Sequence, residues 1–124
     1  MNSYHYHHAM QRAIDEAMSN DNMKRARMAA VIAHRRKILA VGINRYQSHP
    51  MQAKFNPNEH AIYLHAEIDA IRAFVKTYGS ESLKNCDMYV ARVLKSGETA
   101  LAKPCDGCKM AIATFELNDV HWTK

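Results

Sequence analysis

The stretch His65-Ala66-Glu67-Ile68-Asp69-Ala70-Ile71 opens a predicted helix, and Pro104-Cys105-Asp106-Gly107-Cys108 opens another about forty residues later. One histidine and two cysteines can give a zinc ion three protein ligands, and a catalytic zinc keeps its fourth position open for water. Glu67, next but one to the histidine, is the base that such a water needs. Together the two stretches predict a catalytic zinc site between two helix starts.

The two cysteines stand at a spacing that suits a metal site. Cys105 and Cys108 are three residues apart, so at the start of a helix both sulfur atoms lie on one face. A helix N-terminus offers unpaired N–H groups and a positive dipole end, which favour thiolates over thiols. Pro104 suits the start of such a helix because it has no N–H to lose.

Glu67 lies two residues after His65, and on a regular helix these two side chains point well apart. Glu67 is therefore poorly placed as a fourth ligand and well placed to reach a water on the open side of the metal. Because zinc lowers the pKa of its water to about 7, hydroxide becomes available at neutral pH. We expect Glu67 to take the water proton and pass it on.

Two other interpretations of these residues stay open. In the first, His49 or His60 completes a closed structural zinc site as the fourth ligand, and Glu67 is a solvated helix residue. In the second, Cys105 and Cys108 are a thioredoxin-like redox pair. The preceding proline and the upstream histidine and glutamate favour a metal site over the redox pair.

Hydrophobic periodicity predicts alternating helices and strands. Apolar residues at three- and four-residue spacing indicate the first helix, and two apolar runs separated by the polar residues 34–37 indicate a hairpin. The predicted elements are helices at 6–18, 65–78 and 105–116, strands at 27–34, 38–43, 87–94 and 120–122, and a long loop at 44–60. This order predicts an α/β fold in which a mixed sheet is covered on both faces.

The composition is that of one globular domain, residues 1–124, with 48% apolar and 23% charged residues. The chain lacks an apolar run of about 20 residues and an apolar signal-peptide core near Met1, and its three cysteines fit a reducing compartment. We therefore expect a cytoplasmic protein with no membrane partner. A net charge of +5, with basic clusters at 24–27 and 34–37, favours an anionic partner, although either cluster alone is more typical of a solvated turn.

From about residue 27 to 123 the chain resembles the cytidine and deoxycytidylate deaminase superfamily. The matching stretches are Gly42-Ile43-Asn44, His65-Ala66-Glu67 with Ile68-Asp69-Ala70-Ile71, Pro104-Cys105-Asp106-Gly107-Cys108, and Asp119-Val120-His121-Trp122-Thr123. His-x-Glu followed by Pro-Cys-x-x-Cys is the signature of the zinc-dependent nucleobase deaminases. The resemblance implies a three-layer α/β/α sandwich around a mixed sheet of four to five strands, a cytidine deaminase-like fold.

The resemblance also implies roles for individual residues. It implies a Zn²⁺ cofactor held by His65, Cys105 and Cys108. It makes Glu67 the proton shuttle. In the family, an asparagine at the position of Asn44 binds the sugar or base of the substrate, and the backbone N–H at the position of Ala66 contacts the base. Without the resemblance, Asn44 would be interpreted as a turn residue.

The implied reaction is hydrolysis of the exocyclic amine of a cytosine nucleoside or nucleotide, a small-molecule substrate. Zinc-bound hydroxide attacks C4, the glutamate carries protons to the ring nitrogen and the amine, and ammonia leaves. Gly42-Ile43-Asn44, then a loop with His49-Pro50, then His65-Ala66-Glu67 look more like the deoxycytidylate branch. In that loop, Arg45 and Lys54 either meet a 5′-phosphate or are solvated.

Two alternatives to a small-molecule enzyme stay open. One is a polynucleotide deaminase that edits adenosine in tRNA or cytidine in RNA or DNA. The net charge of +5 supports it, whereas the chain lacks the C-terminal helix and motif that the tRNA enzymes carry after the zinc cysteines. The other is a non-catalytic, zinc-stabilised binding module, against which the presence of Glu67 argues.

The end of the chain departs from the pattern of the family. The sequence stops at Lys124, just after the fourth predicted strand. Residues 98–102 add a short fifth strand, or the sheet is truncated, or a neighbouring subunit covers its open edge. Because an exposed sheet edge invites pairing with another chain, we expect a homo-oligomer.

Overall fold

The computed structural model describes residues 3–23, 26–56 and 63–124. Within these ranges the chain forms four α-helices, one 3-10 helix and five strands. The helices are α1 (Ser3–Met18), α2 (Pro50–Phe55), α3 (Ala66–Tyr78) and α4 (Asp106–Thr114), and the 3-10 helix is Glu81–Asn85. The strands are β1 (Arg27–His34), β2 (Lys37–Ile43), β3 (Asp87–Val93), β4 (Thr99–Ala100) and β5 (Val120–Trp122). Across the described residues, no helix has the length and apolar character that crossing a membrane requires.

The five strands form one mixed sheet with β3 at its centre. β1 pairs antiparallel with β2 through the predicted hairpin, and with β3 on its other side. Two strands share the far edge of β3, because β5 runs parallel along residues 88–90 and β4 runs antiparallel beside Arg92 and Val93. Of the three alternatives for this edge, the added short strand is confirmed. The homo-oligomer stays a prediction.

Helices cover both faces of the sheet, because β1 and β3 carry apolar side chains on alternate faces. Ala29 and Val31 of β1 pack with α1, whereas Ala30 and Ile32 pack with α3 and α4. The buried stripes are Ala9, Ala13 and Ala17 on α1, and Ile68, Ile71 and Phe74 on α3. Strands that are buried on both faces need continuous apolar runs, as these have. The predicted three-layer α/β/α sandwich is confirmed.

Gly42 lets β2 and α3 approach each other closely. A Cβ atom at this position would overlap the backbone nitrogen of Ala70 and the carbonyl oxygen of Ala66. A glycine inside a strand often marks such a close approach of two backbones. The first turn of α3, which carries the predicted base, is therefore held against the end of β2.

The predicted loop after β2 contains a helix that the sequence pattern did not indicate. α2 begins after His49, whose Nδ1 accepts a hydrogen bond from the Met51 N–H (3.1 Å), and Pro50 occupies its first turn. Its 6 residues are too few to show helical periodicity. Residues 57–60 of this loop, and residues 24–25 of the first basic cluster, lie outside the described residues.

Candidate metal centre and active site

The starts of α3 and α4 bring three metal-binding side chains together. His65 is the N-cap of α3 and Cys105 the N-cap of α4, each one residue before the helix that it was predicted to open. Cys108 lies in the first turn of α4. His65 Nδ1 lies 3.3 Å from Cys108 Sγ and 3.6 Å from Cys105 Sγ. All three ligand atoms lie within 4.8 Å of one another.

The spacing of these atoms fits a tetrahedral zinc ion. With a Zn–N distance of about 2.0 Å and a Zn–S distance of about 2.3 Å, tetrahedral ligands place nitrogen and sulfur about 3.5 Å apart. The observed nitrogen-to-sulfur distances of 3.3 and 3.6 Å agree with that geometry. A set of two thiolates and one imidazole leaves a fourth position for water, as catalytic zinc sites do.

Cys105 already has the character of a thiolate. A hydrogen bond from Cys108, and then one from His65, lower the pKa of the Cys105 thiol to about 3, against burial, which raises it. A cysteine must lose its proton before it can bind a metal. The arrangement of the three side chains therefore favours the form of Cys105 that binds zinc.

The Glu67 carboxyl group is buried beside this cluster, with 3% of the residue exposed. Burial raises the pKa of Glu67 above its ordinary value, and the negative charge at Cys105 raises it further. Its own backbone N–H, the positive charge at His65 and a hydrogen bond with Cys108 lower it. Burial and the Cys105 charge favour the protonated form, and the two hydrogen bonds and the His65 charge favour the carboxylate. Glu67 is thus in the setting of a group that gains and loses a proton during general acid–base chemistry.

A cavity of about 130 Å³ opens beside the cluster. Its walls are formed by Met28, Asn44, Tyr63, His65, Glu67, Lys103 and Cys105. Glu67 and two of the three candidate ligands therefore line one space. A larger cleft of about 680 Å³ runs along α1, with Arg12 and Asp15 on its walls, and it is bordered by none of the cluster residues. Size alone therefore does not locate the site.

Asn44 lines this cavity, but its side chain is fully committed to hydrogen bonds within the fold. Its Nδ2 donates to the Ala26 carbonyl oxygen (2.7 Å) and the Tyr63 hydroxyl (3.1 Å). Its Oδ1 accepts from Asn20 Nδ2 (2.7 Å) and the Met28 N–H (2.9 Å). The substrate contact expected for Asn44 would have to compete with these bonds. The buried Asn20 is a part of this network.

Ala66, the other residue expected to contact a substrate, is the first residue of α3 and is fully buried. The N–H groups in the first turn of a helix have no partner within that helix. Its two neighbours, His65 and Glu67, line the cavity. Ala66 itself is not among the lining residues, so a contact between its backbone N–H and a substrate stays a prediction.

Three residues of the cavity wall, Met28, Tyr63 and Lys103, were not predicted from the sequence as site residues. The Tyr63 ring meets the His65 ring edge to face at 5.0 Å and the Tyr46 ring at 6.0 Å, and Tyr46 is 69% exposed. Lys103 is exposed and lines the cavity. The sequence signal for Tyr63 and Lys103 was their position beside the two motifs. Tyr63 comes two residues before His65, and Lys103 directly precedes Pro104.

Arg45 does not point toward the cavity, although a 5′-phosphate contact was one of its two interpretations. Its guanidinium binds the buried Asp69 carboxylate at 2.7 Å, and Arg72 binds the other oxygen of that group. Lys54, the second cation considered, lies over the Phe55 ring at 5.5 Å on α2. Of Arg45, Lys54 and Lys103, only Lys103 borders the cavity.

The geometry also bears on the two other interpretations of these residues, a closed zinc site with a fourth histidine ligand and a redox pair of cysteines. Among the described residues the metal-binding group is His65, Cys105 and Cys108, and His49 is not a member. His49 uses its Nδ1 to cap α2, and His60 lies outside the described residues. The imidazole beside both sulfur atoms favours a metal site over a redox pair of cysteines.

Known structures share this fold. A dCMP deaminase from the cyanophage S-TIM5 superposes with a TM-score of 0.70 at 22% identity, over 98% of this chain and 84% of that one. A guanine deaminase from Bacillus subtilis gives 0.64 at 24% identity, over 99% of this chain, which spans only 64% of that protein's length. A tRNA:A34 deaminase, studied for A-to-I editing at the wobble position, gives 0.63 at 23% identity, over 94% of this chain and 75% of that one.

Likeness at such low identity concerns the fold. Among curated proteins, none matches the sequence. Family membership rests instead on a family description that matches nearly all of the chain. The description of the cytidine and deoxycytidylate deaminase zinc-binding region matches residues 3–124, and the chain belongs to that family.

Proposed function

We propose that this chain is a zinc-dependent hydrolytic deaminase of a cytosine nucleoside or nucleotide, and that it releases ammonia from C4 of the base. The observation that carries the proposal is one shared space: the buried Glu67 lines the same cavity of about 130 Å³ as His65 and Cys105. A metal site with an open position and a buried acid–base group beside it are the two parts that hydrolysis of an amine requires.

His65, Cys105 and Cys108 would hold the zinc ion, because their ligand atoms have tetrahedral spacing. When bound, zinc lowers the pKa of a coordinated water to about 7. Glu67 would take one proton from that water and deliver it to the ring N3. It would then carry a second proton from the new oxygen on C4 to the departing amine, so that the C4–N bond breaks and ammonia leaves.

The cavity favours a small base with an anionic group at its mouth. Its volume of about 130 Å³ is well below the range of about 300–1,000 Å³ typical of pockets that enclose a drug-sized ligand. Such a space suits a single pyrimidine ring, with the sugar outside it. The ammonium group of Lys103 supports a nucleotide over a nucleoside, because it can pair with a phosphate. The fold shared with a dCMP deaminase supports the same substrate class.

A second candidate function is deamination of a base within a polynucleotide. The observation that favours it is the exposed Tyr46 ring against Tyr63 at the cavity wall, because an exposed aromatic ring can stack on a neighbouring base. The net charge of +5 agrees with an extended anionic substrate. Steep weakening of binding with added salt would distinguish this substrate from a single nucleotide.

Ammonia release and zinc content, measured on the same preparation, test the proposal. The substrates are cytidine, deoxycytidine, CMP, dCMP, adenosine, guanine and short single-stranded DNA and RNA. We expect one zinc per chain and turnover of a free cytosine compound. Glu67→Gln should keep the zinc and lose at least about 100-fold in turnover. Turnover that survives in this variant contradicts the mechanism, and zinc without turnover of any substrate favours a non-catalytic binding module.

A further inference from the structure

Two amide side chains, those of Gln52 in α2 and of its C-cap residue Asn56, connect the two helix starts that carry the candidate ligands. Gln52 Oε1 accepts a hydrogen bond from the His65 backbone N–H at 2.8 Å. Gln52 Nε2 donates to Asn56 Oδ1 at 2.6 Å, and Asn56 Nδ2 donates to Cys105 Sγ at 3.7 Å. A continuous chain of three hydrogen bonds thus runs from the backbone of one candidate ligand to the sulfur of another.

We propose that Gln52 and Asn56 are positioning residues that hold His65 and Cys105 at zinc-binding distance and thereby set the zinc affinity of the site. This inference rests on the zinc site of the proposed function. Partners of metal ligands commonly fix ligand orientation, and their loss typically costs about 10–100-fold in metal affinity. Here the partners lie on α2, an element of the fold that supplies no ligand.

The direction of the hydrogen bonds is determined at one end of the chain. A backbone N–H can only donate, so the Gln52 oxygen must face His65 and the Gln52 nitrogen must face Asn56. The Asn56 oxygen then accepts, which leaves the Asn56 nitrogen to donate to Cys105. Sulfur therefore receives a donor, which stabilises a thiolate, and an oxygen in that place would repel it. Gln52 is only 3% exposed, so an unpaired amide would be costly there.

Gly107 makes room for this chain. A Cβ atom at Gly107 would overlap the Asn56 side chain, meeting its Nδ2, Cγ and Oδ1 atoms. Among the described residues the glycines with positive φ are Gly79 and Gly97, so the backbone conformation of Gly107 does not require glycine. The small residue between the two cysteines is therefore explained by the space that Asn56 occupies.

Helix α2, which carries Gln52 and is capped by Asn56, is anchored at each end. His49 caps its start, and Phe55 at its end is buried against Phe115, which follows α4, with ring centroids 6.3 Å apart. Gln52 and Asn56 are four residues apart, so they lie on one face of the chain as it leaves α2. Because α2 is anchored at both ends, it can keep the starts of α3 and α4 at a fixed distance from each other.

The test is the zinc dissociation constant, measured by competition with a chromophoric chelator on the full chain without substrate. Asn56→Asp keeps the shape but places an oxygen against the sulfur, and Gln52→Glu keeps the His65 contact but loses the donor to Asn56. We expect each variant to bind zinc about 10–100-fold more weakly than the unmodified chain. Lys54→Gln, an exposed change on the same helix, is the matched control and should bind zinc normally.

A second pair of variants keeps the inference testable if the first variants fold poorly. Gly107→Ala should weaken zinc binding, because the new methyl group displaces Asn56. In a chain that already carries Asn56→Ala, the same change should cost clearly less, since the obstructing side chain is gone. Additive costs in this pair, or normal zinc affinity in both Asn56→Asp and Gln52→Glu, would overturn the inference alone. An unmodified chain that binds no zinc would overturn it together with the proposed function.

Discussion

The Asn44 carboxamide donates a hydrogen bond to the Tyr63 hydroxyl at the wall of the candidate active site, with 3.1 Å between Nδ2 and Oη. The other three hydrogen bonds of this amide reach Asn20 just after α1, Ala26 just before β1 and Met28 within β1. Asn44 thus joins the support of the fold to the wall of the cavity. A residue that only contacted substrate would have no such bonds, so its replacement would leave the free energy of unfolding unchanged.

We predict that Asn44→Ala lowers the free energy of unfolding by at least about 2 kcal/mol, because it leaves buried donors and acceptors around Asn20 and Met28 unpaired. Tyr63→Phe, which removes a single hydroxyl group, should cost about 1 kcal/mol or less. Urea unfolding of both variants, without substrate, measures the two effects. Equal stability of Asn44→Ala and the unmodified chain would leave Asn44 with a role in substrate binding alone.

Asp69→Ala is predicted to destabilise the chain by about 2–4 kcal/mol. Its carboxylate is buried, accepts the Ile43 N–H at 3.0 Å, and binds the guanidinium groups of Arg45 and Arg72. Removing one partner of a buried ion pair costs about 3–5 kcal/mol, and we reduce this figure because both arginines are partly exposed. Thermal or urea unfolding gives the value.

The exposed Arg12–Glu16 pair on α1, at 2.9 Å, provides the control for Asp69. Glu16→Gln should change the free energy of unfolding by less than about 0.5 kcal/mol, because exposed pairs one helical turn apart contribute little. If the two substitutions cost the same, Asp69 is not a structural anchor for Arg45. Arg45 would then be available to a ligand.

The fold and the ligand triad were accessible from the sequence for one physical reason: both depend on regular spacing. Continuous apolar runs predicted β1 and β3, and the three-residue interval of Cys105 and Cys108 predicted two sulfurs on one helix face. β4 was accessible only as one of three alternatives, because 2 residues carry no periodicity of their own.

The supports of the site were not accessible, because they depend on contacts between distant segments. Gln52 and Asn56 lie in a stretch that resembled a loop, and their partners are 13 and 49 residues further along the chain. Nothing in the sequence indicates that the Asn56 side chain lies beside Gly107. Asn44 was assigned by resemblance to substrate binding, and its four internal hydrogen bonds appeared only in three dimensions.

Lys103 gives a prediction about substrate charge. Lys103→Ala should raise KM for CMP or dCMP by about 5–30-fold, the loss of one charge-assisted hydrogen bond at an exposed site, and should change kcat little. KM for the matching nucleoside should stay within about twofold. Steady-state kinetics on each nucleotide and nucleoside pair measure the difference, and Lys109→Ala on the exposed part of α4 is the matched control. An equal rise in KM for nucleoside and nucleotide contradicts a phosphate contact.

His49 gives a prediction about pH. Burial, and then the charge of Arg72, lower the pKa of His49 from its ordinary value of 6.5, against Asp69, which raises it. A depressed pKa means that the fold prefers the neutral ring, so this contribution to stability is present above about pH 6.5 and is lost as the pH falls through and below that value. Protonation also removes the acceptor that caps α2 at Met51. The loss should reach at most about 1 kcal/mol, the usual value of an N-cap.

His49→Asn isolates this effect, because asparagine keeps a capping acceptor and does not titrate. Urea unfolding of the two zinc-loaded chains from pH 5 to pH 8 gives the difference in their free energies of unfolding, in which the titration of the shared metal ligands cancels. We expect this difference to be constant above pH 7 and to shift in favour of His49→Asn as the pH falls below 6.5. A difference that stays constant down to pH 5 would mean that the cap at α2 is insensitive to the charge of His49. In that case a fall in pH would affect the zinc site only through protonation of the metal ligands, and α2 would stay in place beside them.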